Sequence, residues 1–199
     1  MESKVEIAGH PVHPMLIVFP LGLLSTAVSF DILYLFSNRA QWSEVAFYMI
    51  GAGVIGGLGA ALFGFPDWLA VPRRTRAKRI GLYHGLGNVL VITLFVLSWM
   101  LRREHPGSPP TDAVVASIGG LIVGVITGWL GGELVSRLGV GVDEGAHLDA
   151  PNSLTTLPVG AAFGAPTPAG MSRGYTGSDR RTFSEPAWAG AERRSGVSR

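Results

Sequence analysis

The chain contains no cysteine and few charges. Without cysteine it has no disulfide framework, no thiolate-ligated metal, no iron–sulfur cluster on its own ligands and no covalently attached c-type haem. Charged residues make up only 15% of the sequence, against about 25% in ordinary soluble domains. The formal net charge is a modest +2. The basic residues lie in loops and tail, which speaks for membrane topology and against nucleic acid as a partner. Also missing are a phosphate-cradling glycine loop, a Ser–His–Asp arrangement and a nucleotide fingerprint in its required context. No motif names a reaction, and the balance favours a protein that is not an enzyme.

What is present is apolar: 47% of residues are hydrophobic and the mean hydropathy is +0.34. The apolar residues are gathered into runs long enough to cross a hydrocarbon core of about 30 Å, which takes about 20 helical residues. The runs are Pro14–Phe36, Glu44–Phe65, Ile80–Leu101 and Ala113–Leu134. The first is too long for a signal-peptide core and lacks a small-x-small cleavage site, so it reads as a retained span. The expected fold is an all-α, up-and-down bundle of four transmembrane helices over residues 1–142, followed by a flexible tail over 143–199. Ala150–Arg199 is rich in Gly, Pro, Ser, Thr and Arg with no core-building period, and is expected to be disordered.

Proline and glycine refine this picture. Pro14 suits a first helical position, and Pro20 should kink the first span. The second span carries Gly53 and Gly57 in a GxxxG pair, and the fourth repeats Gly120, Gly124, Gly128 and Gly132. In lipid, such small residues let helices approach closely, within one chain or between copies of it. Trp68 and Trp99 suit interfacial anchors.

Bases near the span ends set the expected orientation. Lys4, Arg73, Arg74, Arg76, Lys78, Arg79 and Arg137 fall on one side, and Arg39, Arg102 and Arg103 on the other. The positive-inside rule then places both termini in the cytoplasm. That orientation brings one set of polar residues to the cytoplasmic ends of the spans: His10 and His13 before the first, Asp67 after the second, His84 with Asn88 inside the third, and Glu133 closing the fourth. Asp31 lies alone in an outer half, too little for an ion path.

Three imidazoles and two carboxylates at one level match the donors of a divalent transition metal, giving His10, His13, Asp67, His84 and Glu133 as candidate ligands. A b-type haem held by His84 and by His13 or His10, with Asn88 beside it, is a second candidate. The competing account is structural: carboxylates paired with Arg79 or Arg137, histidines bonded to carbonyls, and the whole a non-catalytic scaffold or interaction module.

The residues also carry a resemblance. Gly9-His10-Pro11-Val12-His13-Pro14, Gly64-Phe65-Pro66-Asp67-Trp68, His84 with Asn88, Gly131-Gly132-Glu133-Leu134-Val135 and Gly139-Val140-Gly141-Val142 resemble the bacterial membrane proteins catalogued as domain of unknown function 2231. The likeness spans about Val5–Val142. It implies a four-span inner-membrane module without an established activity, linked to membrane electron transfer through a separate redox partner or a haem in the bundle. The positions it carries over are again His10, His13, Asp67, His84, Asn88 and Glu133.

Overall fold

The structure, a computed structural model, describes residues 1–155 and 157–161. The expectation of disorder for the tail falls mostly on 162–199, outside the described residues. Residues 1–143 with 152–155 form one compact unit. The remaining described residues, 144–151 and 157–161, consist of turns and irregular chain.

Helices dominate the main unit. α1 (Val12–Leu16) and α2 (Val18–Ser37) make the first span, α3 (Ala40–Ala70) the second, α4 (Arg76–Arg102) the third and α5 (Thr111–Ser136) the fourth. All four spans are long and apolar enough to cross a membrane. The break between α1 and α2 at Ile17 has a plain cause. Pro20 offers no N–H to Leu16 and its ring crowds that carbonyl, so the first span bends there. α3 outruns its expected end, continuing through Pro66 to Ala70. At about 1.5 Å per residue it is about 46 Å long, more than a hydrocarbon core requires.

One departure from an all-helical chain precedes α1. β1 (Glu6–Ile7) and β2 (His10–Pro11) pair antiparallel. Their two-residue turn, Ala8-Gly9, has positive φ at both positions, 52° and 72°. A tight hairpin that follows the strand twist requires this, and glycine is at ease there. Gly9 of the His-Pro-x-His-Pro stretch is thus a turn residue, and it leads His10 into a strand rather than a helix.

α2 packs mainly on α3 and α4 mainly on α5. The two helical hairpins close into a ring through α3 with α4 and α2 with α5. Leu24, Ala27, Val28, Ala46, Ile50, Val91 and Phe95 form the buried core. The long apolar faces carrying Tyr48, Ile55 and Leu62 on α3, and Val115, Ile122 and Trp129 on α5, are exposed, as lipid-facing surfaces must be.

The hairpins are copies of one another in their packing. A β-carbon placed on Gly53 would meet Leu24 Cδ2 at 2.6 Å, and one on Gly120 would meet Phe95 Cε2 at 2.8 Å. Gly57 faces Pro20 as Gly124 faces Val91. Leu24 and Phe95, like Pro20 and Val91, are separated by 71 residues, the separation that also relates Asp31 to Arg102. α1–α2–α3 and α4–α5 therefore repeat one unit around a pseudo-two-fold axis along the bundle.

The close glycine contacts are testable. Gly120→Ala pushes into the Phe95 ring, which is 1% exposed and cannot swing away. It is expected to cost about 1–3 kcal/mol, read as a lower thermal unfolding midpoint in detergent. Gly128→Ala, with nothing within 4 Å, should cause no loss.

Candidate functional site

Two histidines sit at equivalent places in the repeat. His13, on α1, directs Nδ1 at the Ala60 carbonyl of α3 at 2.8 Å. His84, on α4, directs Nδ1 at the Thr127 carbonyl of α5, also at 2.8 Å. A carbonyl only accepts, so in both rings Nδ1 carries the hydrogen and Nε2 bears the lone pair. Each ring lies on a glycine one turn beyond its carbonyl: a β-carbon on Gly64 would be 2.8 Å from His13 Cε1, and one on Gly131 would be 3.0 Å from His84 Cε1. Both side chains are half-buried.

Asn88 makes the pair unequal. Its Nδ2 donates to His84 Nε2 at 3.1 Å and to the His84 carbonyl at 2.9 Å. Thr127 Oγ1 donates to Asn88 Oδ1 at 3.2 Å. The position matching Asn88 in the first hairpin is Ile17, which offers no such bond.

The remaining predicted ligands lie elsewhere. Asp67 is held by the amino-terminal segment: Ser3 Oγ donates to its two oxygens at 2.9 and 2.8 Å, and the Lys4 N–H donates at 2.6 Å. Glu133 pairs with Arg76 at 2.7 Å. His10 is exposed and bonds the Ala8 carbonyl of its own turn at 3.0 Å. Among the described residues no three His, Asp or Glu side chains are grouped to hold a metal ion. The five-donor set of His10, His13, Asp67, His84 and Glu133 is corrected accordingly. Each carboxylate is already satisfied by a donor nearer than any histidine. The carboxylate partners also differ from the expected Arg79 and Arg137. Gly81 makes room for the Trp68 ring, and Lys78 Nζ lies over it at 4.1 Å.

At the opposite end of the bundle lies a site that sequence reasoning missed. Asp31 of α2 and Arg102 of α4 form a bidentate ion pair, at 2.6 and 3.0 Å, and both side chains are fully buried. Ser117 Oγ donates to Asp31 Oδ2 at 2.7 Å. Arg102 also donates to Ser98 Oγ at 2.9 Å and to the Ser98 carbonyl at 3.3 Å. Arg102 appears in the sequence as one of a set of outer loop bases. The missed signal was the lone Asp31, whose burial in a span demands a partner at its own depth.

A family model described as a predicted membrane protein, DUF2231, matches residues 9–144, about two thirds of the chain. The chain belongs to the DUF2231 family. The matched region runs from the turn glycine Gly9 to just past α5 and so takes in both hairpins. No curated protein and no solved structure matches it. Within this family member, the conclusion that stands plainly is a predicted membrane protein of unknown function with four apolar spans.

The ion pair generates a second prediction. Asp31→Asn or Arg102→Gln leaves the other group uncompensated and is expected to cost about 3–5 kcal/mol. The exchange Asp31→Arg with Arg102→Asp should recover part of that loss, because the two positions are equivalent. Recovery stays partial because Ser98 and Ser117 correspond to Ala27 and Ile50, which have no side-chain hydroxyl. Unfolding midpoints of the three variants in detergent measure this.

Proposed function

We propose that this protein is a bacterial inner-membrane subunit linked to redox metabolism, holding a b-type haem or a divalent transition metal through His13 and His84. The observation that carries the reading is the matched pair of imidazoles. Each has its Nδ1–H bonded to a helix carbonyl, the arrangement by which ligand histidines are usually oriented; Nε2 would be the ligating atom, and that of His84 would exchange its Asn88 bond for the ligand. Asn88 also bonds the His84 carbonyl, a contact that ligation at Nε2 would leave in place. Electrons would pass between this site and a separate redox protein at the cytoplasmic face, where the basic α3–α4 loop offers a charged docking edge.

A second reading is favoured by a different observation. Asp67 and Glu133 are spent on protein partners and Nε2 of His84 receives Asn88, as in a membrane scaffold or interaction module whose polar residues only tie segments together. Elemental analysis and an absorption spectrum of the detergent-purified protein separate the two. A bound metal or a Soret band that disappears in His13→Ala supports the first reading; a protein free of both supports the scaffold.

The orientation has its own test. With both termini cytoplasmic, a periplasm-active reporter fused after Arg199 should be silent and a cytoplasm-active one should work; the reverse pattern inverts the site to the outer face.

A further inference from the structure

We propose that the segment Met1–Val5 is a strap across the end of the bundle, latched on Asp67, and that it governs access to His13 from that end. The inference concerns access to the ring and holds whatever His13 binds. The first support is the path of the chain. The Met1 carbonyl accepts from the Gly141 N–H at 2.9 Å, just past α5. Two residues on, Ser3 Oγ bonds both oxygens of Asp67 on α3, and the Lys4 N–H adds a third bond. The Val5 carbonyl then accepts from the N–H of Val12, the first residue of α1, at 3.1 Å. α3 and α5 stand at opposite corners of the ring, so the strap runs from one to the other at the bundle end.

The second support is register. Positions three or four apart on a helix share a face, so Ala60, Gly64 and Asp67 line one face of α3. The His13 ring is bonded to the first and lies against the second. The strap is bonded to the third. At about 1.5 Å of rise per residue, the latch stands about 4.5 Å beyond the glycine, toward the bundle end. Val12, beside His13 in the chain, is buried although it opens α1 at that end, and Val5 holds its N–H.

The third support is the difference between the hairpins. The position equivalent to Asp67 in the second is Leu134, which has no carboxylate. There the segment that opens α4 grips α5 through Arg76 and Glu133 instead, and an ion pair with a solvent-exposed arginine contributes little. His84 thus lacks the latch and serves as an internal reference. The strap itself is held by hydrogen bonds more than by packing: Met1, Ser3 and Val5 are half-buried, and Glu2 and Lys4 are exposed. A segment with so few buried apolar contacts opens locally at much lower cost than the helices beneath it.

Modification of the full-length detergent-purified protein with diethyl pyrocarbonate, followed histidine by histidine by mass spectrometry, tests this without any bound ligand. Asp67→Ala removes the acceptor of all three bonds. Loss of hydrogen bonds to a charged group shifts an opening equilibrium about tenfold or more, so His13 is expected to react about tenfold faster, while His84 keeps its rate. Ser3→Ala leaves the Lys4 bond in place and should give a smaller increase at the same ring. It also keeps the test decisive where Asp67→Ala does not fold. A His13 rate unmoved in the folded variants overturns the strap. Equal acceleration of His13 and His84 is general loosening of the bundle, and that overturns it too.

Discussion

The arrangement of the bundle depends on a guanidinium and a carboxylate that have no access to water. In an apolar surround each alone would be prohibitively unstable, so Asp31 and Arg102 are acceptable only together and only when their remaining hydrogen-bonding positions are filled. Ser98 and Ser117 fill them. The pair joins α2 to α4, the first helix of one hairpin to the first helix of the other, and Ser117 adds α5. Helices in lipid gain little from apolar contact with one another, because lipid tails offer the same contact. A buried ion pair that is satisfied in only one arrangement supplies selectivity that apolar packing lacks. It also opposes pairing of like hairpins, which would set Asp31 against a second Asp31, or Arg102 against a second Arg102.

The repeat explains why the two ends of the bundle differ. Equivalent positions hold identical residues where His13 and His84 sit, and opposite charges where Asp31 and Arg102 sit. Each imidazole bonds a carbonyl within its own hairpin, whereas Asp31 and Arg102 bond one another across the two hairpins.

Much of the candidate site was legible in the sequence, and the part that was not has a physical explanation. Depth along a helix follows from counting residues, so His13, Asp67, His84 and Glu133 can be assigned to the same end of the spans. Depth does not say where a side chain points. Asp67 turns to Ser3 and Lys4, and Glu133 to Arg76. The first of these donors lies in an amino-terminal segment with no helical period to reveal its path. The internal repeat was hidden for a related reason. Leu24 corresponds to Phe95, Pro20 to Val91, Ala60 to Thr127 and Asp31 to Arg102, so shape and position match while residue identity does not. Few positions are shared letter for letter, among them His13 with His84 and Gly53, Gly57 and Gly64 with Gly120, Gly124 and Gly131, and glycine is too abundant in this chain to draw notice.

The sequence by itself determined the four apolar spans, their approximate ends and the bend before Pro20, because hydropathy, length and the missing proline N–H act locally. Tertiary structure alone decided the partners. Pairing of hairpins, the tautomer of each imidazole, the glycine beneath each ring and the union of Asp31 with Arg102 all join residues far apart in the chain. In a bundle whose apolar surfaces are nearly interchangeable, such choices are made by the few polar groups that must be satisfied, and only the folded chain shows which groups meet.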